Sequence, residues 1–184
     1  MRSSLITATA ALVGSAVAVP WGKGGLWGGK HDPTKCLNWD TANYLATSFQ
    51  SLIAAFSTTT AETVLADDFT DFSNSILSLI GQPVDVPAFT SKEQFIQGQG
   101  AQPPVPLEIL AIDAFNCQNV TLRWNAKFGV GPQSVNGITH LTASNSQGQK
   151  DTWQISVIYT EFDSLAWWKA IGGTVNPPPP QPSS

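Results

Sequence analysis

Two acidic residues of this chain occupy positions from which a β-strand would direct them toward a protein interior. Strict alternation over residues 152–162 puts one set of side chains on a single strand face, namely Trp153, Ile155, Val157, Tyr159 and Glu161. A shorter alternation puts Asp71 on the same face as Phe69. An inward pair of carboxylates, Asp71 and Glu161, would be able to share a proton and act as acid and base on an enolisable substrate.

Each carboxylate also has a plainer interpretation. Glu161 lies near the end of its strand, close to Asp163, where the strand would emerge at the rim of the fold. Asp71 equally fits a solvated acidic cluster with Asp67 and Asp68. If both carboxylates do face inward, desolvation would suit them to proton transfer.

Further interior candidates come from a segment in which apolar and polar residues alternate. One face of this segment carries Val120, Leu122, Trp124, Ala126, Phe128 and Val130. We expect Trp124, Thr139 and Tyr159 to line a pocket, with an indole N–H and a phenol hydroxyl among apolar atoms. The simpler alternative is that these side chains only fill the core. In the third predicted strand, Thr139 and Leu141 alternate with His140, which turns His140 outward.

The chain lacks the common catalytic and metal-binding motifs. Two histidines and two cysteines are too few and too widely separated for a metal site, so we expect neither a metal nor a cofactor. No GxSxG elbow, phosphate-binding P-loop, GxGxxG turn in a βαβ unit or HExxH motif occurs. The common hydrolase, nucleotide-binding and metalloprotease classes are therefore without support.

Both ends of the chain differ from its middle in composition. Arg2 precedes an apolar run, Leu5 to Val19, that is short for a membrane anchor and ends in small residues typical of a cleavage site. We therefore expect a secreted, extracellular protein. The predicted parts are a signal peptide (1–18), a flexible Gly- and Trp-rich leader (19–35), one domain (36–173) and a disordered Pro-rich tail (174–184). The net charge of −4 argues against nucleic acid and anionic membranes as partners, because both carry negative charge.

Two covalent modifications fit an exported chain. Cys36 and Cys117 are the only cysteines, and in an oxidising compartment the leading interpretation is a disulfide between them. Two buried free thiols are the alternative. The sequence Asn119-Val120-Thr121 is the only glycosylation sequon, and alternation points Asn119 and Thr121 to solvent, so we expect a glycan on Asn119.

The order of elements follows from hydrophobic periodicity. Apolar residues at three- and four-residue spacings predict an amphipathic helix over Asn38–Phe56, followed by a short helix, a short strand at Asp68–Ser73 and another short helix starting near Ser91. A period of two then predicts four strands, at 107–115, 120–130, 134–143 and 152–162. Their links are too short for crossover helices, so the strands should be antiparallel neighbours. The expected fold class is α+β, with a curved antiparallel sheet covered by N-terminal helices.

This order of elements resembles the nuclear transport factor 2-like cone over residues 36–173. Four segments look more narrowly like a family of secreted fungal members: LADDFTDFSNS (65–75), SKEQFIQG (91–98), VNGITHLT (135–142) and YTEFDSLAW (159–167). The superfamily includes scytalone dehydratase, SnoaL-type polyketide cyclases and ketosteroid isomerase, as well as many proteins without catalysis. The resemblance implies a cone with an apolar pocket, but the histidines of scytalone dehydratase have no counterparts here.

The leading functional hypothesis is a secreted protein whose cavity binds a small apolar molecule without catalysis. The first alternative is a cofactor-free isomerase, cyclase or dehydratase that uses inward carboxylates. The second is a secreted interaction protein or effector that acts through its surface. Cones of this type commonly pair through the open sheet face, so the resemblance makes a homodimer through that face one candidate oligomer, and the sequence does not decide the oligomeric state.

Overall fold

The computed structural model describes residues 32–130 and 133–175. The helices are α1 (Trp39–Ala54), α2 (Thr58–Val64), α3 (Asn74–Leu79), α4 (Lys92–Gly100) and α5 (Ser164–Ala170). The strands are β1 (Leu65–Phe72), β2 (Pro87–Phe89), β3 (Leu107–Phe115), β4 (Asn119–Ala126), β5 (Val135–Ser144) and β6 (Gln154–Phe162). The predicted signal peptide, most of the predicted leader and most of the predicted tail lie outside the described residues.

The strands form one curved, unclosed sheet in the order β2-β1-β6-β5-β4-β3. Strands β3 to β6 are antiparallel neighbours, which confirms the prediction from their short connections. Strand β1 adds to β6 in parallel, and β2 pairs antiparallel with β1 at the edge. The sheet is therefore mixed rather than wholly antiparallel, and the α+β class is confirmed.

Helix α1 covers the concave face of the sheet, as its periodicity predicts. Asn38 caps its N-terminus by accepting a hydrogen bond from the Thr41 N–H at 2.9 Å. The buried stripe consists of Ala42, Leu45, Ala46, Ser48, Phe49 and Leu52. This stripe contributes to one core that also takes in the buried residues of β4 and β5. Burial of these apolar side chains drives the helix onto the sheet.

A bulge in β6 reverses the face assignment predicted for that strand. Val157 pairs with Thr142 and Ile155 pairs with Ala143, so the intervening Ser156 has no partner in the ladder. One extra residue in one strand moves every later side chain to the opposite face. Trp153 and Ile155 are buried as predicted, but beyond the bulge the inward set is Ile158, Thr160 and Phe162.

The start of the described chain is fastened to the sheet by covalent and polar contacts. Cys36 and Cys117 form the predicted disulfide, which joins the segment before α1 to the β3–β4 hairpin. The Leu37 N–H donates to the Cys117 carbonyl at 3.1 Å, and the Trp153 indole donates to the Pro33 carbonyl at 2.9 Å.

Among residues 32–130 and 133–175, no helix has the length and apolar character needed to cross a membrane.

Candidate functional site

A cavity of about 240 Å³ lies between the helices and the concave face of the sheet. Its lining is predominantly apolar and includes six aromatic side chains: Phe49, Phe89, Phe95, Trp124, Phe162 and Trp167. The lining residues that are also exposed to solvent are Ile80, Gln102 and Ile171. These three therefore mark the mouth, which opens beside the C-terminal ends of α3, α4 and α5.

Within the part of the chain that the structure describes, Asp71 is the only ionisable residue among the cavity-lining side chains. It pairs with Phe89 of β2 on one side and Ile158 of β6 on the other, so its position is fixed by two neighbouring strands. The residue is only 3% exposed, and its Oδ1 atom is buried without a hydrogen-bond partner among the described residues. Such a carboxyl is unusual because buried polar atoms are nearly always hydrogen-bonded.

The surroundings of Asp71 change its acidity. Burial among apolar side chains, together with the smaller effect of the negative charge of Glu161, raises the pKa of Asp71 from 3.8 to about 7. A carboxyl with this pKa exchanges its proton near neutral pH. The inward orientation of Asp71 follows from its alternation with Phe69, which is also buried.

The structure places Glu161 outside the cavity, which corrects the predicted pair of inward carboxylates. Beyond the bulge, Glu161 lies on the outer face of β6 and is exposed. Its Oε1 accepts from the Asn74 N–H at 2.7 Å, and its Oε2 accepts from the Ser75 N–H at 2.9 Å and from the Ser75 hydroxyl. Glu161 thus anchors the first turn of α3, where amide groups otherwise lack partners.

We predict that Glu161→Ala destabilises the fold and loosens α3. The substitution removes charge-assisted hydrogen bonds to three donors, so the free energy of unfolding should fall by about 2 kcal/mol. Chemical denaturation measures this loss, and amide exchange should quicken at Asn74 and Ser75. Glu108→Ala, which removes a glutamate from an exposed position on β3, is the control. Equal stability of the two variants would refute the anchoring role.

Trp124 forms part of the cavity wall, as predicted, and hydrogen bonds to a pair of threonines hold its indole. The Trp124 Nε1–H donates to Thr139 Oγ1 at 2.9 Å, and Thr139 Oγ1 lies 2.8 Å from Thr160 Oγ1. Gly137 on β5 faces Trp124 across the ladder, and a Cβ atom there would overlap the indole ring. The small residue lets the ring lie close against the backbone.

Thr139 and Tyr159 occupy positions different from the predicted pocket sites. Thr139 points inward and is fully buried, but it does not line the cavity and instead bonds Trp124 and Thr160, which do. The prediction for Tyr159 is wrong, because the bulge at Ser156 puts this residue on the outer face. Its side chain is 48% exposed and stacks on Phe72, with ring centroids 4.9 Å apart.

Two other predicted residues lie away from the cavity. The Asn119 side chain is half-buried, donates to Asn116 Oδ1 at 3.2 Å and accepts from the Thr142 hydroxyl at 3.1 Å. His140 faces outward as its alternation predicts, with Nδ1 2.9 Å from the hydroxyl of Thr121. A glycan on Asn119 stays a prediction.

Several lining residues were missed at the level of sequence. Thr160 and Phe162 belong to the face that the bulge exchanges, so simple alternation points them outward. Ile76 and Leu79 lie on α3, a helix that we did not predict. The sequence feature that indicates this helix is Ser73, which stands ahead of an apolar run. Ser73 caps the helix by accepting a hydrogen bond from the Ile76 N–H at 3.1 Å.

The charges near the cavity favour neither metal binding nor anion binding at this site. No Lys, Arg or His contributes to the cavity lining, and residues 32–130 and 133–175 contain no cluster of three or more metal-ligating side chains. The ion pairs lie elsewhere, as in Arg123 Nε with Asp113 Oδ2 at 2.7 Å and Lys92 Nζ with Asp67 Oδ1 at 2.6 Å. The site is a single carboxyl in an apolar, aromatic cavity.

Comparison with known families identifies the domain. The family model described as the NTF2-like domain matches residues 35–174. This match spans the disulfide, all five helices and all six strands. No curated protein matches the chain.

Solved structures with the same fold are distant in sequence. A candidate isomerase of the SnoaL-like family from Agrobacterium tumefaciens aligns with a TM-score of 0.51 at 8% identity, covering 67% of this chain and 98% of that one. A protein with a ketosteroid isomerase-like fold from Catenulispora acidiphila, in complex with trimethylamine, aligns with a TM-score of 0.52 at 14% identity. The alignment covers 71% of this chain and 93% of that one. A candidate SnoaL-like polyketide cyclase from Jannaschia sp. aligns with a TM-score of 0.50 at 14% identity, covering 72% of this chain and 94% of that one. At these identities the likeness shows the fold alone.

Proposed function

Since this chain belongs to the NTF2-like domain family, we propose that it is a secreted protein that binds a small, largely apolar molecule in its cavity. The observation that carries the proposal is the apolar cavity with one buried carboxyl at its wall, whose Oδ1 has no partner among the described residues. Small-molecule sites typically combine apolar walls with a few polar groups that orient the ligand. Asp71 is the polar group that fits this role here.

The secretion part of the proposal has separate support. Residues 1–18 have the charge and hydrophobic pattern of a signal peptide. The disulfide between Cys36 and Cys117 is compatible with an oxidising compartment. An extracellular binding protein of this kind would carry its ligand in the space that the helices cover.

We predict that filling the cavity abolishes binding without unfolding the protein. Ile76 of α3 contributes to the lining, and Ile76→Trp should extend a bulky ring into the space. Native mass spectrometry of protein purified from the secreting organism should show a bound small molecule in the wild type and none in Ile76→Trp. Ser78→Trp, on the exposed side of the same helix, is the matched control and should retain the ligand. Equal occupancy of all three proteins would contradict the cavity as the binding site.

A second function, cofactor-free proton transfer, is favoured by one specific observation. The raised pKa of Asp71, about 7, suits a general base that takes a proton from the carbon beside a carbonyl group. Asp71 would act alone, because both oxygens of Glu161 accept hydrogen bonds from α3. Isomerase or cyclase chemistry of this kind begins with such a proton abstraction.

Deuterium exchange separates this function from simple binding. Cyclohexanone in D₂O should exchange its α-protons faster with the wild-type protein than with Asp71→Asn if Asp71 acts as a base. Asp68→Asn removes a carboxyl from the exposed side of β1 and should keep the wild-type rate. Identical exchange in all three proteins would leave the binding function and eliminate catalysis by Asp71.

A further inference from the structure

The charge of the cavity narrows the chemistry of its ligand. Among the described residues, Asp71 is the only ionisable residue of the lining, and no cationic side chain lines the cavity with it. Its Oδ1 atom has no hydrogen-bond partner in the same part of the chain. A buried carboxylate is stabilised mainly by an opposite charge or by donors, and residues 32–130 and 133–175 supply neither at Oδ1. A ligand is therefore the remaining source of a counter-ion.

The aromatic walls are suited to the same kind of ligand. Six aromatic rings contribute to the lining, and Trp124 and Trp167 are among them. The negative face of an aromatic ring attracts a cation, most strongly for tryptophan and in a desolvated site. The aliphatic remainder of the lining, such as Ile158 and Leu107, suits an apolar body attached to the charge.

The hydrogen-bonding groups of the described lining bring no positive charge to an anionic ligand. The Trp124 indole N–H donates to Thr139, and the Thr160 hydroxyl is also bonded to Thr139. Gln99 and Gln102 are the remaining polar side chains of the lining, and their amides are uncharged. A ligand carboxylate would therefore meet no cationic side chain of the described residues in this lining.

We propose that the cavity selects a protonated organic amine with a compact apolar body, with the ammonium group bound to the Asp71 carboxylate. This inference rests on the proposed binding function and specifies its ligand class. The ammonium would supply the hydrogen bond that Oδ1 lacks, and the rings would surround the positive charge. Neutral alcohols would bind less tightly and carboxylates least.

The charged groups around Asp71 define how binding depends on pH. Glu161, on the outer face of β6, is the one whose charge affects Asp71. The other charged side chains on the elements that line the cavity and on the segments beside them lie outside the lining, and they include Asp40, Glu62, Asp67, Asp68, Asp85, Lys92, Glu93, Glu108, Asp113, Arg123, Asp163 and Lys169. Since an ammonium ion binds the ionised carboxyl, amine affinity should rise between pH 5.5 and 8.

Three probes of similar size and different charge test the inference. Cyclohexylamine, cyclohexanol and cyclohexanecarboxylate would be titrated into the full chain, with the Trp124 indole N–H resonance reporting cavity binding. Cyclohexylamine stays protonated through pH 8, since alkyl amines of this type titrate near pH 10. At pH 8 it should bind about tenfold more tightly than cyclohexanol, and its affinity should fall on acidification to pH 5.5.

Two variants identify the origin of the preference. Asp71→Asn should lose the preference for cyclohexylamine while binding cyclohexanol as before, and Asp68→Asn should behave as the wild type. Equal or tighter binding of cyclohexanol or cyclohexanecarboxylate by the wild type would overturn the amine preference but keep the binding function. Failure of all three probes to shift the Trp124 resonance would overturn both.

Discussion

Asp71→Asn should make the protein more stable at pH 8, by about 2 to 4 kcal/mol, and leave its stability at pH 4.5 nearly unchanged. Raising the pKa of Asp71 from 3.8 to about 7 means that ionising this buried carboxyl opposes folding. Each pH unit of such a shift corresponds to about 1.4 kcal/mol, so the ionised folded state is destabilised by about 4 kcal/mol. The asparagine amide also lacks a partner at this position, which makes the expected gain smaller than that total.

The sign of the pH dependence follows from proton binding. Between about pH 4 and pH 7 the folded protein keeps a proton on Asp71 that the unfolded chain has released. The free energy of unfolding should therefore fall as pH rises through this window and become level above it. Asp71→Asn should lack this decline.

Urea denaturation at pH 4.5, 6 and 8 would measure the effect as the difference between variant and wild type. Taking this difference cancels the pH-dependent contributions of the other carboxyls. These include Asp113 beside Arg123 and Asp67 beside Lys92, whose pKa values are lowered by hydrogen bonds. Asp68→Asn is the control for removal of one negative charge from β1. A parallel pH profile for Asp71→Asn and wild type would show that Asp71 is not buried as an unpaired acid.

Removal of the disulfide should cause the second large effect. The bond between Cys36 and Cys117 closes a loop with a sequence separation of 81 residues. Such a loop restricts the unfolded chain, so Cys36→Ser/Cys117→Ser should lose about 4 kcal/mol of stability. We expect the structural effect of this change at the junction of α1 and the β3–β4 hairpin, where the Leu37 N–H donates to the Cys117 carbonyl.

Thermal and urea unfolding of the oxidised wild type and the double variant measure this loss. Adding a reducing agent should lower the stability of the wild type toward that of the double variant and leave the double variant unchanged. A stability loss below about 1 kcal/mol would mean that the disulfide contributes little to folding under these conditions.

The parts of the fold that depend on regular periodicity were predictable from sequence. The buried face of β4, with Val120, Leu122 and Trp124, alternates as expected, and β3 has the predicted bounds. Helix α1 differs from its prediction by one residue at the start and two at the end. In these elements one face packs on the core and the other meets solvent, so burial enforces the periodicity that the sequence displays.

The site was less predictable because it depends on an irregular strand. Both alternating sets of β6 contain apolar residues, and the predicted set with Val157 and Tyr159 reads as the more apolar one. The bulge at Ser156 selects the set with Ile158 and Thr160 instead, and no local glycine or proline marks it. Asp71 was predicted in the interior because its alternation with Phe69 is not interrupted between those two residues.

The pKa of Asp71 tests the central claim most directly. Carbon-13 NMR of the aspartate side-chain carboxyls, assigned by the loss of one resonance in Asp71→Asn, would follow its titration in the ligand-free protein. The expected midpoint is about 7, and replacing Glu161 by glutamine should lower it while keeping it above 3.8, because burial is the larger cause. A midpoint near 3.8 in the wild-type protein would contradict the apolar cavity with an unpaired acid at its wall.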